Sequence, residues 1–195
     1  REFSPLPPAE RAILRQRLGV APEEFFLLSV GELNQNKNHQ VVLEALSRLK
    51  RRGCLEGIRY GICGEGFARP QLEEEIRARG LSQVVTLYGY RPDIPQMVGC
   101  ADATVFPSRR EGLGMAGVES LAMGVPVLAA DNRGTREYME QGGNGFLCRW
   151  DDPGDFARGL EALWALGPGQ RQAMSRRCVD AARPFAGKYA QAVMR

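Results

Sequence analysis

Short apolar runs alternate along this chain with segments whose apolar residues recur at helical spacing, and that alternation leaves few folds open. Phe25 to Val30 reads as a first strand, and Val41 to Lys50 as a helix with a stripe of Val42, Leu43, Leu46 and Leu49. Ile58 to Cys63 is the second strand candidate, followed by a helix around Gln71 to Arg79. Val84 to Tyr88 is the third, followed by a short helix over Ile94 to Cys100. Ala103 to Phe106, a helix from about Met115 to Met123, and Val125 to Ala130 continue the pattern. Phe146 and Leu147 sit in a last short strand, and Phe156 to Leu166 forms a strong helix.

Strands separated by helices pair in parallel through crossovers, so the expected fold is α/β: a Rossmann-like, doubly wound parallel sheet of about six strands. With 195 residues there is room for one such domain, placed over 25–183. Residues 1–24, with Pro5, Pro7, Pro8 and an apolar, basic stretch from Ile13 to Leu18, read as a linker and lead-in helix. Residues 184–195 are expected to form a C-terminal helix.

Composition removes several function classes. The net charge is only +3 and the Lys and Arg residues are spread along the chain, so nothing points to nucleic acid. The five Cys show neither CxxC nor Cys/His spacing, which suggests reduced thiols rather than a disulfide framework or a zinc site. No run approaches the roughly 18 apolar residues that span a bilayer, and no apolar signal region opens the chain. The expected location is cytoplasmic.

In a doubly wound sheet ligands bind beyond the carboxyl ends of the strands, at the point where strand order reverses. Three Gly-rich loops follow strands there: Gly31-Glu32, Gly64-Glu65-Gly66 and Gly112-Leu113-Gly114. One such loop is commonly a tight turn; three at one sheet edge favour a bound anion or nucleotide. The sharpest segment is Glu111 to Glu119, which follows Ala103-Thr-Val-Phe-Pro-Ser108 and leads into a helix whose positive end favours a diphosphate. Two carboxylates at this spacing could address two ends of one ligand. They could equally be acidic residues on a solvated helix, and spacing does not choose. No GxGxxG follows the first strand with an acidic residue about 20 further on, which disfavours a dinucleotide-binding dehydrogenase.

Glu111 through Glu119 resembles the EX7E signature of the retaining family 4 glycosyltransferases of the GT-B fold. Ser29 to His39 resembles that family's first strand and loop, Ile62 to Gly66 its second, and Leu87 to Tyr90 its base-binding loop. Gly124 to Asp131, Arg133-Gly134 and Asn144 to Leu147 follow in the same order and spacing. The likeness covers about residues 25 to 165 and is nearest to enzymes that build capsular or exopolysaccharide.

The resemblance implies the donor-binding, C-terminal half of a GT-B enzyme that moves a sugar from a UDP- or GDP-sugar with retention, using no metal or other cofactor. It implies that Glu111 contacts the donor hexose and that Lys37 neutralises the leaving diphosphate. Glu119 would hold the ribose hydroxyls. Gly112, Leu113, Gly114 and Met115 would meet sugar and diphosphate, alongside the glycine loops of Gly31, Gly64 and Gly66. Backbone at Tyr90 and Arg91 would face the base. His39 is given no role. One departure is Glu32, at a position where many members carry a diphosphate-binding Arg; either it turns away or Arg109 or Arg110 substitutes. An N-terminal acceptor-binding domain is the implied partner, through which a membrane-surface acceptor at the inner face is allowed. The isolated chain is then expected to be inactive in transfer. The competing reading is a non-catalytic nucleotide-sugar-binding module.

Overall fold

The structure, a computed structural model, describes residues 3–185. The chain opens with α1 (Pro8–Arg17) and then runs β1 (Phe25–Val30), α2 (His39–Arg51), β2 (Ile58–Cys63), α3 (Arg69–Ala78) and β3 (Val85–Gly89). The second half continues with α4 (Ile94–Cys100), β4 (Ala103–Phe106), α5 (Met115–Ala122), β5 (Val127–Ala130), β6 (Gly145–Cys148), α6 (Pro153–Trp164) and α7 (Pro168–Ala182). All six strands pair in parallel in the order β3-β2-β1-β4-β5-β6. The strand order therefore reverses between β1 and β4, and that is where the crevice of such a sheet opens.

Burial on both faces explains why the strands are continuous apolar runs. Phe25 and Leu27 of β1 join a core with α2, α3 and α6, whereas Phe26 and Leu28 point the other way into a cluster with Met97 and Val98 of α4. Thr104 of β4 meets Ser120 of α5 through a 2.6 Å hydroxyl contact, one of the few polar contacts inside the layer. Beneath the lead-in helix, the buried Arg15 binds Asp102 at 2.9 Å and the carbonyls of Cys100 and Ala21, which ties residues 8–24 to the domain.

The elements predicted between residues 8 and 166 are present, with shifted ends. Helices α1 and α3 begin earlier than their apolar stripes suggest because proline at their first positions starts a helix without needing an N–H partner. Strand β5 starts at Val127, after Pro126, whose carbonyl accepts from Thr104 N. Helix α7 was not expected. It buries only Met174, Cys178 and Ala182, too thin a stripe to read from sequence, and it packs on α5. The short 3-10 turn Arg183–Phe185 follows it, and the remainder of the predicted C-terminal helix lies outside the described residues. None of the five cysteines is paired, and burial raises the thiols of Cys63, Cys148 and Cys178 to about 12. No helix among the described residues is long and apolar enough to cross a membrane.

Candidate functional site

Three loops nest at the carboxyl edge of β1, β2 and β3, held by their backbones. Gly31 N donates to Cys63 O at 3.0 Å, Leu33 N to Glu65 O at 2.9 Å, and Gly64 N to Gly89 O at 2.8 Å. The approach needs glycine. A Cβ on Gly64 would stand 1.9 Å from Gly31 O, and one on Gly66 would stand 2.3 Å from Leu33 O.

The loop after β1 is then stitched to the loop after β4 by asparagines at alternate positions. Asn34 Oδ1 accepts from Lys37 N, and Asn36 accepts from Arg110 N while donating to Arg110 O at 3.0 Å. Asn38, the one non-glycine residue with positive φ among the described residues, donates to the carbonyls of Pro107 and Trp150. This ladder brings Lys37 to Glu111: Lys37 Nζ lies 2.7 Å from Glu111 Oε1, and both side chains are partly buried. The lysine stem folds over Gly31 at van der Waals distance.

Glu111 opens the turn Gly112-Leu113-Gly114, and Gly114 (φ 76°) caps the start of α5. The turn is braced from below by residues 131–138. Asn132 donates to Ser108 O at 3.1 Å, a Cβ on Gly134 would meet Gly112 O at 2.6 Å, and the Tyr138 hydroxyl fills the space left by Gly117. The N-terminal turn of α5 carries the positive end of its dipole. Glu119 lies half-buried one turn into α5.

The sequence-predicted residues fall into three groups. Lys37, Glu111 and Gly31 are in direct contact; Gly112, Leu113, Gly114, Met115 and Glu119 share the adjoining turn and helix; Gly64 and Gly66 support the first loop. Tyr90, 79% exposed, stands past the end of β3, while the Arg91 side chain is held by Asp93 at 2.6 and 2.8 Å and keeps that carboxyl below its usual range. Glu32 is exposed and its carboxylate accepts from Asn34 Nδ2 at 3.0 Å, so Lys37 is left to Glu111. Sequence reasoning missed the asparagine ladder; its signal was Asn at 34, 36 and 38 in a loop beside a glycine turn. A separate groove of about 1300 Å³ runs along the opposite, amino-terminal edge past Phe25, Asp102 and Arg171 and includes none of these residues.

His39 starts α2 beneath the Lys37 loop, 3.3 Å from the Tyr60 hydroxyl, which also meets Ser29 at 2.8 Å. Burial, aided by the Lys37 charge, lowers its pKa to about 4. A histidine kept neutral when folded stabilises fully above its unfolded pKa near 6.5, and that stability is lost as pH falls towards 4. Between those limits His39 is expected to contribute at most about 3 kcal/mol of acid sensitivity. His39→Gln should flatten the melting temperature between pH 6.5 and 4.5; an unchanged slope would remove His39 as its source.

A parallel α/β domain with its polar loops gathered at the β1/β4 switch point belongs to the Rossmann-like class. Within it, the chain belongs to the family described as glycosyl transferases group 1, whose model matches residues 10–183. It is 38% identical over 162 residues to EpsD of Bacillus subtilis (strain 168), named as a glycosyltransferase; the match covers 83% of this chain and 42% of EpsD. It is 37% identical over 141 residues to the alpha-D-kanosaminyltransferase of Streptomyces kanamyceticus, covering 71% and 36%. The chain thus spans less than half the length of these relatives. Among solved structures, HepE of Anabaena in complex with UDP superposes with a TM-score of 0.85 at 24% identity, over 99% of this chain and 54% of HepE. The C-terminal domain of LpcC from Francisella tularensis superposes with a TM-score of 0.79 at 22% identity, over 93% of this chain and 94% of that one. The fold is that of the C-terminal half of GT-B glycosyltransferases.

Proposed function

We propose that this chain is the donor-binding part of a retaining, metal-independent glycosyltransferase of the family 4 type, which moves a sugar from a nucleoside diphosphate sugar to a glycan or lipid-linked acceptor. The observation that carries the reading is the Lys37–Glu111 pair at the switch point, beside the N-terminal end of α5. A lysine and a helix N-terminus supply the positive charge that a leaving diphosphate needs, and Glu111 stands next to it where a sugar would be attached. Glu119 faces the ribose diol and the base lies towards Tyr90 and Arg91, on the β3 side. That HepE has been solved with UDP and with UDP-glucose favours a uridine donor. The contacts that hold the acceptor's reacting sugar come from elsewhere in the enzyme, so this chain alone binds donor without transferring it. The location that fits is the cytoplasm, peripheral at the inner membrane face.

Calorimetry with UDP and uridine tests the reading. Lys37→Ala should weaken UDP by about 1.5 to 3 kcal/mol, the range of a charge-assisted contact, and leave uridine unchanged. Equal losses for both ligands would refute the diphosphate assignment. Glu119→Ala should weaken UDP and uridine alike, by about 1 to 3 kcal/mol, because both carry the diol. A loss confined to UDP would place Glu119 elsewhere.

A further inference from the structure

Most arginines on the described surface face a carboxylate, as Arg59 does Glu24 and Arg136 does Asp131. Arg109, Arg110 and Arg133 are exposed and, among the described residues, have no carboxylate within ion-pair distance. All three sit at one place. Asn132 donates to Ser108 O, and Gly134 lies against the carbonyls of Glu111 and Gly112, so the turn that carries Arg133 adjoins the loop that carries Arg109 and Arg110.

Their mounts are rigid. Arg110 is pinned through both its N–H and its carbonyl by Asn36. Arg133 is held inside a turn whose Asn132 Oδ1 accepts from Gly134 N and Thr135 N. The Arg109 guanidinium lies 5.3 Å above the ring of Trp150, itself 41% exposed, a cation–π contact that holds it at the surface. Three uncompensated, pre-positioned cations on neighbouring loops form a fork suited to phosphate oxygens.

Position decides which phosphate. The loops of Gly31 and Gly64 and Tyr90 follow β1, β2 and β3, whereas Arg109 and Arg110 follow β4, Arg133 follows β5 and Trp150 follows β6. Arg110 and Trp150 meet the Lys37 loop through Asn36 and Asn38, so the arginines adjoin the donor loops from the β4–β6 side. We propose that Arg109, Arg110 and Arg133 form a second anion site, separate from the donor diphosphate, that takes a phosphate group carried by the sugar acceptor. The inference rests on the sugar-transfer reading above, since only that reading makes Glu111 the boundary between donor and acceptor.

Trp150 provides the readout, because the chain has two tryptophans and Trp164→Phe leaves this one alone. UDP binding is first measured by calorimetry; if it fails, that counts against the donor reading only, and in that case alone the titration below is run without UDP. With UDP saturating, inorganic pyrophosphate and farnesyl diphosphate should each change Trp150 emission saturably, and farnesol should not. The triple variant Arg109→Gln/Arg110→Gln/Arg133→Gln should weaken both phosphate probes about tenfold or more. The proposal is overturned if the triple variant binds them as well as the parent, or if farnesol acts like its diphosphate. It is also overturned if the probes only displace UDP, or if the triple variant loses UDP, which would assign these arginines to the donor diphosphate. Arginine-dependent preference for UDP-glucuronate over UDP-glucose, with no second anion bound, would make the site a reader of the donor sugar instead. Binding of phosphatidylglycerol vesicles alone would make it a membrane contact.

Discussion

Glu111→Gln is expected to bind UDP more tightly than the parent chain while losing sugar transfer by about a hundredfold or more, measured in a form of the protein that turns over donor. The two effects have one cause. Without a ligand, Glu111 holds Lys37 at 2.7 Å, so a diphosphate arriving at Lys37 must displace an internal carboxylate. The neutral amide keeps the shape but releases the cation. Since both side chains are partly exposed, the released interaction is discounted to about 0.5 to 1 kcal/mol, or about two- to fivefold in UDP affinity. The transfer loss is larger because charge near the reacting carbon matters most in the transition state. Lys37→Ala moves UDP affinity the opposite way, so the two variants together separate competition for Lys37 from general damage. If Glu111→Gln weakens UDP in a protein that melts normally, the carboxylate is a nucleotide ligand and not a competitor.

That pairing also marks the limit of what the sequence made legible. The strands were readable because β1, β2 and β4 are apolar on both faces and bounded by turn residues, and the donor-side loops followed from where strands end. Helix α7 was not, since its exposed Arg171, Arg176 and Arg177 outweigh a thin buried stripe and tertiary packing on α5 holds it. Within the site, sequence spacing drew attention to Glu111 and Glu119, which lie near each other in the chain. The ion pair instead joins Lys37 and Glu111 across 74 residues, through side-chain hydrogen bonds of Asn36 and Asn38 whose partners are remote in sequence. Short polar side chains announce a turn; they do not announce what the turn is tied to.

Gly64→Ala is expected to be the most damaging single-methyl change at the site, destabilising the protein by about 3 kcal/mol or more. Gly64 has φ of 146°, outside the range ordinary side chains adopt, and its Cβ would lie 1.9 Å from Gly31 O and 2.8 Å from Gly31 C. Those neighbours are backbone atoms and cannot swing aside. Relief requires the ends of β1 and β2 to separate, which breaks the bonds from Gly31 N to Cys63 O and from Leu33 N to Glu65 O. Backbone strain of about 1 to 3 kcal/mol and two lost hydrogen bonds of about 1 kcal/mol each account for the total. In a domain of this size that lowers the melting temperature by about 10 °C. Because the stem of Lys37 packs over Gly31, UDP binding should fall with stability. Gly112→Ala is the matched control, since its Cβ would meet nothing within 4 Å and the melting temperature should hardly move. Equal melting of the two variants would mean that the three loops do not depend on this close approach.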